Sequence, residues 1–371
     1  MKVRALLLLL PLCALVAVHA QQPAQPPALR SPEVLPDGRV TFRVSAPNAS
    51  KVTMFCECLK DEPAMAKDAS GVWSVTIGPL APEIYEYHFT VDGIDNLDQR
   101  NPVVKYNSRP NLIESVVDVP GKTPMFYDLK PVPHGSVSIK YYESKATGGT
   151  RRAFVYTPPN YEKSTAKLPV LYLLHGADGD ESVWTQFGRV NLILDNLIAE
   201  KKAQPMIVVM PFAYAYPWTR GIAGDKQRTD FQKDLLEDLI PYVQANYRAF
   251  TDRDHRALAG LSMGGSLTLA IGPRHLETFS RIAVFSAGGG QNPQQSMADL
   301  AANAKNLNSQ LKLFWMGIGT EDPGFEGAKR TSDFLNSAGI KHTFKTSPGA
   351  HTWIVWRQYL NEVAPQLFGQ S

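Results

Sequence analysis

The sequence predicts an α/β protein in two parts, a small all-β sandwich followed by a larger domain of alternating strands and helices. Three observations carry this. Short alternating strands broken by turn residues fill positions 31–119, and a Pro-rich stretch follows them. Beyond it, continuous apolar runs alternate with helical periodicity, the grammar of a parallel-rich sheet covered on both faces. One of those runs opens into a Gly-x-Ser-x-Gly turn.

In the first part the clearest strands are Val40 to Val44, Val52 to Leu59, Trp73 to Ile77 and Tyr85 to Val91, with Asp92-Gly93 supplying a hairpin turn. Residues 120–136, centred on Pro120 to Pro133, read as a linker to a domain spanning 137–371. There, Val170 to Leu174 and Met206 to Met210 suit strands buried on both sides. Residues 191–202 and 230–247 are helical, the second carrying Leu235, Leu236, Leu239, Ile240 and Val243 at helical spacing.

Gly260-Leu261-Ser262-Met263-Gly264 sits between the apolar Ala257-Leu258-Ala259 and a helix-like run from Ser266 to Ile271. A strand-to-helix turn of this kind projects a serine at a helix N-terminus, and its glycines let neighbouring chain approach closely. This is the nucleophile elbow of an α/β-hydrolase, in which an acid and then a histidine follow the serine in chain order. Three histidines lie downstream. His275 is too near the elbow helix to swing back, and His342 opens an apparent strand. His351, in Pro348-Gly349-Ala350-His351 between a strand and a helix, is the predicted base. The acid should lie at the C-terminal end of the strand Leu311 to Gly317, where open α/β sheets gather their functional groups. Asp322 is the choice, Glu321 the close alternative, and Glu326 and Asp333 serve the following helix. The amides of Met263, after the serine, and Ala177, after the strand ending Leu173-Leu174-His175-Gly176, are the expected oxyanion donors. His175 is expected to buttress that loop.

Bulk properties narrow the setting. The first 20 residues read as a signal peptide: Lys2 and Arg4, an apolar Ala5 to Val16, and Val18-His19-Ala20 before the cleavage point. Residues 21–30 form a Pro/Gln-rich flexible leader. Export to the periplasm or the exterior follows, with no membrane association after cleavage. Removing the two leader bases turns the net charge of +3 into 36 bases against 35 acids, which offers no field for nucleic acid. The histidines are scattered without ligand spacing, so neither metal nor cofactor is expected. Cys56 and Cys58 lie outside the leader; on a continuing strand they would be roughly 6.6 Å apart with parallel Cβ vectors, so a disulfide is not expected.

Together these segments resemble carbohydrate esterase family 1, the esterase-D-like feruloyl and acetyl-xylan esterases. The matching pieces are residues 152–161 (RAFVYTPPNY), 173–184 (LLHGADGDESVW), 188–211, 238–247 (DLIPYVQANY), 260–265 (GLSMGG), 317–322 (GIGTED) and 349–356 (GAHTWIVW). By motif the family's triad falls on Ser262, Asp322 and His351. Residues 31–119 resemble an E-set, or CBM48-like, immunoglobulin-like sandwich through Gly71-Val72-Trp73, Tyr85, Tyr87, Phe89, Val91-Asp92-Gly93 and Asn101-Pro102. Glu83 departs from that pattern, which usually has glycine there. Trp73, Tyr85 and Tyr87 read as core rather than as a sugar platform. The resemblance implies hydrolysis of feruloyl esters on feruloylated or acetylated plant polysaccharide. Acetyl-xylan esterase, siderophore (enterochelin-type) esterase, acyl transferase and a non-catalytic carbohydrate-binding protein are the alternatives. The first domain is expected to shape the substrate groove, so a chain starting near Pro133 should keep activity on small esters.

Overall fold

The structure, a computed structural model, describes residues 29–106, 113–177, 179–217 and 224–369. The targeting segment 1–20 and most of the leader 21–30 lie outside the described residues.

Residues 33–119 form two antiparallel sheets. One orders strands 33–34, 40–45, 72–77 and 66–67; the other orders 52–56, 83–91, 114–119 and 104–105, with 94–96 paired to 83–91. Alternation puts Val40, Phe42, Val52, Met54, Trp73, Tyr85, Tyr87 and Phe89 into one shared core. Trp73, Tyr85 and Tyr87 are all buried there, which removes them as a sugar platform. Asp92 and Gly93 both take positive φ, 47° and 85°, as the hairpin turn requires.

The strand predicted over 52–59 stops at Cys56. A turn follows, closed by the Leu59 amide on the Cys56 carbonyl at 3.0 Å. It shortens the Cα separation of Cys56 and Cys58 to 5.1 Å, and the two are joined as a disulfide, contrary to the sequence expectation. That expectation assumed a continuing strand, and the turn removes its premise. The closed loop is so short that the bridge fixes a turn rather than stapling distant chain.

The larger sheet has eight strands: β1 Ser136–Ser144, β2 Gly149–Thr157, β3 Val170–Leu174, β4 Ile207–Pro211, β5 Arg256–Leu261, β6 Arg281–Phe285, β7 Leu313–Gly319 and β8 Thr343–Ser347. Their order is β1-β2-β4-β3-β5-β6-β7-β8. β2 runs antiparallel to both β1 and β4, and the remaining pairs are parallel. The fold is that of an α/β-hydrolase. Every residue of β3, β4 and β5 is buried, because helices cover both faces. The helix predicted over 230–247 begins at Asp225 and passes through a π-helical stretch, Asp234–Leu239. Asp234 is fully buried there, accepting from Tyr142 Oη at 2.8 Å and pairing with Arg151 Nε at 2.9 Å. Sequence periodicity had no means of showing this change of pitch.

The Pro-rich stretch is held down along its length. Tyr127 enters the hydrolase core, with Met125 and Phe126 packed against it. Asn196 Nδ2 donates to the Phe126 and Asp128 carbonyls, each at 2.9 Å. Buried Asp195 gathers Tyr156 Oη at 2.7 Å, the Gly135 amide at 3.0 Å and His134 Nδ1 at 2.9 Å.

The two parts also meet directly. Arg357, on the last helix Trp353–Leu367, is 0% exposed. Its Nη2 donates to Glu83 Oε1 at 2.7 Å and its Nη1 to the Phe187 carbonyl at 3.0 Å, with Tyr127 and Phe187 flanking the guanidinium. Glu83, the departure from the sandwich pattern, is thus the carboxylate that neutralises a cation buried by domain docking. Removing one partner of such a pair strands a charge. Arg357→Ala should therefore cost about 3–5 kcal/mol, read as a lowered denaturant midpoint. A loss below about 1 kcal/mol would show that docking does not depend on the pair. A chain starting near Pro133 would uncover Arg357 together with its apolar surround, so such a truncation confounds stability with activity.

Candidate active site

β5 ends at Leu261, and the following helix, Met263–Ile271, starts one residue after Ser262. Ser262 bridges them at φ 53°, ψ −116°, a strained conformation for a residue with a side chain. Its amide donates to the Phe285 carbonyl at 2.9 Å, which fixes the bend. The flanking glycines are required by proximity. A Cβ on Gly260 would lie 2.5 Å from the Gly264 carbonyl carbon, and one on Gly264 would lie 2.5 Å from the His175 carbonyl oxygen. No side chain fits at either place.

Three side chains from three separate segments converge. His351, in the loop between β8 and the last helix, places Nε2 2.9 Å from Ser262 Oγ. Its Nδ1 lies 2.8 Å from Asp322 Oδ2, on the loop after β7. Burial pushes the Asp322 carboxyl up, but hydrogen bonds from His351 and the Gly324 amide outweigh it, with His351 charge and Ser286 adding to them. The carboxyl is held below its usual range, so it is ionised and can only accept. Nδ1 therefore carries the hydrogen, leaving Nε2 to accept from the serine hydroxyl. Gly324 N donates to Asp322 Oδ1 at 2.7 Å, so both carboxylate oxygens are engaged. The His351 side chain is 37% exposed whereas that of Asp322 is 1% exposed. The serine end is accessible and the acid end is sealed.

Glu321 is exposed and Asp322 buried, which separates the two sequence candidates for the acid. Glu326 lies in the first turn of the following helix, and Asp333 pairs with Lys329 at 2.7 Å. His275 contacts Glu277 at 3.0 Å, and His342 contacts Ser332 Oγ at 2.7 Å; neither approaches the serine. Sequence reasoning missed Ser286 and Trp356. Ser286, at φ 49° after β6, accepts from Trp356 Nε1 at 2.9 Å and helps to hold the Asp322 carboxyl down. The Trp356 ring meets His351 edge-on at 5.0 Å between centroids. Nothing in the local sequence marks a serine for that task, since its role depends on the neighbouring loop.

Met263 opens the elbow helix, where the first amides lack intrahelical partners. The chain at 176–177 runs alongside: a Cβ on Gly176 would lie 3.3 Å from Ser262 Cβ. Ala177 lines the same cavity as Ser262, and its carbonyl accepts from Tyr214 Oη at 2.8 Å. His175 is fully enclosed beneath this loop, with Nδ1 2.7 Å from the Gly176 carbonyl and Nε2 accepting from the Ala213 amide at 2.9 Å. It buttresses the loop, as the sequence suggests.

Burial pushes His175 down to about 4 from 6.5, offset in part by its hydrogen bond to Gly176. The folded protein keeps it neutral while the unfolded chain protonates it near 6.5, so the unfolded state binds more protons between those values. Stability is complete above pH 6.5 and falls as the pH drops towards 4, by about 3 kcal/mol in all from this group. Melting temperatures of the wild type and His175→Asn between pH 7.5 and 4.5 should converge on acidification; parallel curves would exclude His175 as a source of acid lability.

The cavity above Ser262, about 280 Å³, is walled by both parts of the molecule. Gly179, Val183, Thr352 and Trp353 come from the hydrolase, and Phe55, Glu57, Glu86 and Lys105 come from the first domain.

The family model called Esterase matches residues 144–367. An endo-1,4-beta-xylanase/feruloyl esterase of Xylanibacter ruminicola is 34% identical over 355 residues, covering 93% of this chain and 47% of that protein. Endo-1,4-beta-xylanase Y of Acetivibrio thermocellus is 25% identical over 269 residues, 65% of this chain and 24% of that protein. The chain thus spans less than half the length of either relative. Among solved structures, a CE1 ferulic acid esterase from Anaeromyces mucronatus, in complex with ferulic acid, aligns with a TM-score of 0.58 at 23% identity, over 67% of this chain and 96% of that one. Enterochelin esterase from Shigella flexneri aligns with a TM-score of 0.69 at 18% identity, over 89% of this chain and 92% of that one. These two likenesses are of fold.

Proposed function

The chain belongs to the Esterase family, and from that premise we propose that it is a serine carboxylic-ester hydrolase releasing ferulic acid from plant cell-wall polysaccharide. The observation that carries the chemistry is the continuous hydrogen-bonded series from Ser262 through His351 to Asp322, at 2.9 and 2.8 Å. The relative in Xylanibacter ruminicola, named in part as a feruloyl esterase, supports the acyl group and the polymeric substrate.

In this reading Ser262 Oγ attacks the ester carbonyl while its proton passes to His351 Nε2. Asp322 holds the imidazole in the required tautomer and offsets the imidazolium charge. The amides of Met263 and Ala177 receive the oxyanion. His351 then returns the proton to the departing sugar oxygen, leaving a feruloyl group on Ser262, and water repeats the sequence to free the acid. The serine's position at a helix N-terminus favours the negative charge that develops beside it.

The first domain takes part by forming one wall of the cavity, which supports a role in shaping the substrate groove. Its type is proposed as E-set, or CBM48-like, and immunoglobulin-like. The Cys56–Cys58 bridge is in keeping with export to an oxidising compartment, periplasm or exterior. Incubation with feruloylated, acetylated arabinoxylan tests the substrate: ferulate should be released well ahead of acetate. Acetate release without ferulate would replace the feruloyl reading with that of an acetyl-xylan esterase.

A further inference from the structure

Beside Phe55, the wall contributed by the first domain carries three ionisable side chains, Glu57, Glu86 and Lys105. Lys105 Nζ pairs with Glu86 at 2.5 Å, and both side chains are largely shielded from solvent. The two therefore neutralise one another. Glu57 is different. Its Oε1 is sealed from water and has no hydrogen-bond partner among the described residues, although the residue lines the cavity that contains Ser262. An unsatisfied buried carboxyl oxygen costs free energy, so its retention calls for a reason.

The position of Glu57 is also firmly set. It lies between the two cysteines of the disulfide, in the turn that ends strand 52–56. Its amide donates to the Glu86 carbonyl at 3.1 Å. The bridge that sequence reasoning did not expect thus clamps the residue facing the nucleophile's cavity. Burial, with the nearby Glu86 charge second, pushes its carboxyl up to about 8; Arg357, the Glu86 backbone and Lys105 oppose the rise. Burial thus favours its neutral form, which can donate one hydrogen bond and accept others.

Resting on the esterase reading above, we infer that Glu57, held by the Cys56–Cys58 turn and backed by the Glu86–Lys105 pair, recognises a hydroxyl group of the bound ester and so sets substrate preference. A hydroxyl both donates and accepts, which matches a neutral carboxyl. Two parts of a feruloyl ester carry hydroxyls, the phenol ring of the acyl group and the sugar. Glu57 is a specificity residue of the cavity that contains Ser262.

The test compares the full-length wild type with Glu57→Ala and Glu57→Gln on p-nitrophenyl acetate, methyl ferulate, methyl 3,4-dimethoxycinnamate and a feruloylated arabinose, each variant being checked for folding by circular dichroism. Glu57→Ala should raise KM roughly tenfold on esters bearing the recognised hydroxyl, leaving kcat and all constants on p-nitrophenyl acetate within about twofold. Glu57→Gln, which keeps a neutral donor and acceptor, should restore KM to within about threefold of the wild type. Loss on methyl ferulate but not on the dimethoxy ester assigns the phenol. Loss confined to the arabinose ester assigns the sugar. An equal loss on all four esters, or no loss on any, overturns the inference. Should the wild type cleave p-nitrophenyl acetate but no ferulate ester, the feruloyl reading fails by itself. Acetylated xylo-oligosaccharide against p-nitrophenyl acetate then supplies the hydroxyl contrast, with selective loss supporting the role of Glu57 and uniform loss overturning it.

Discussion

Ser262→Ala should lower kcat on methyl ferulate or a p-nitrophenyl ester by about a millionfold while leaving a folded protein. The reason is local. Ser262 Oγ makes its hydrogen bond to His351 alone among the described contacts, so deleting it strands no buried group. The backbone strain at φ 53° is borne by the Phe285 carbonyl contact and the flanking glycines, which alanine leaves intact. What remains is binding and oxyanion stabilisation, which in a serine hydrolase still exceed the rate in water by about three to four orders of magnitude. Active-site titration with a fluorophosphonate should label the wild type once and the variant not at all. Near-wild-type turnover by a purified variant would remove Ser262 from the mechanism.

Asp322→Asn should cost about 10⁴ in kcat. Both carboxylate oxygens now accept, one from His351 Nδ1 and one from the Gly324 amide. An amide has one acceptor to share between two donors. Whichever way it turns, its NH₂ faces an N–H, and the histidine is driven towards the tautomer that cannot accept from the serine. Because the carboxyl is held below its usual range, it stays charged over the whole neutral and mildly acidic range. No loss of activity near pH 5 should trace to this group. Glu321→Gln, on an exposed side chain, should stay within about twofold of the wild type. A reversed ranking of the two variants would move the acid to Glu321.

The elbow and its partners were legible because each is announced by local grammar. Gly260 and Gly264 flank a serine between an apolar strand and a helix, and His351 and Asp322 follow strands whose C-terminal ends face one edge of the sheet. Strands β3, β4, β5, β7 and β8 could be read from apolar runs between helical segments, whereas β1, β2 and β6, with the antiparallel pairing of β1, β2 and β4, could not. What could not be read depends on contacts between segments remote in sequence. Ser286 matters because the loop carrying Asp322 lies beside it. The π-helical stretch exists around a buried Asp234 whose partners Tyr142 and Arg151 sit on β1 and β2. The Cys56–Cys58 bridge was missed because alternation implied that the strand continued, whereas it turns after Cys56. Glu83 looked like a departure from a turn pattern, and only docking against Arg357 supplies its purpose.

The pairing of Glu83 with Arg357 spans 274 residues and engages the last helix of the chain. The first domain can complete its own core without that helix, since its core residues come almost wholly from its own two sheets. Its docking surface is unfinished until the helix carrying Arg357 has folded against it. Through that time Glu83 waits as an unpaired carboxylate beside apolar surface that the finished protein covers, and the cavity over Ser262 lacks its second wall. Any chain lacking Arg357 remains in this state, so the catalytic cavity closes only when the two parts dock.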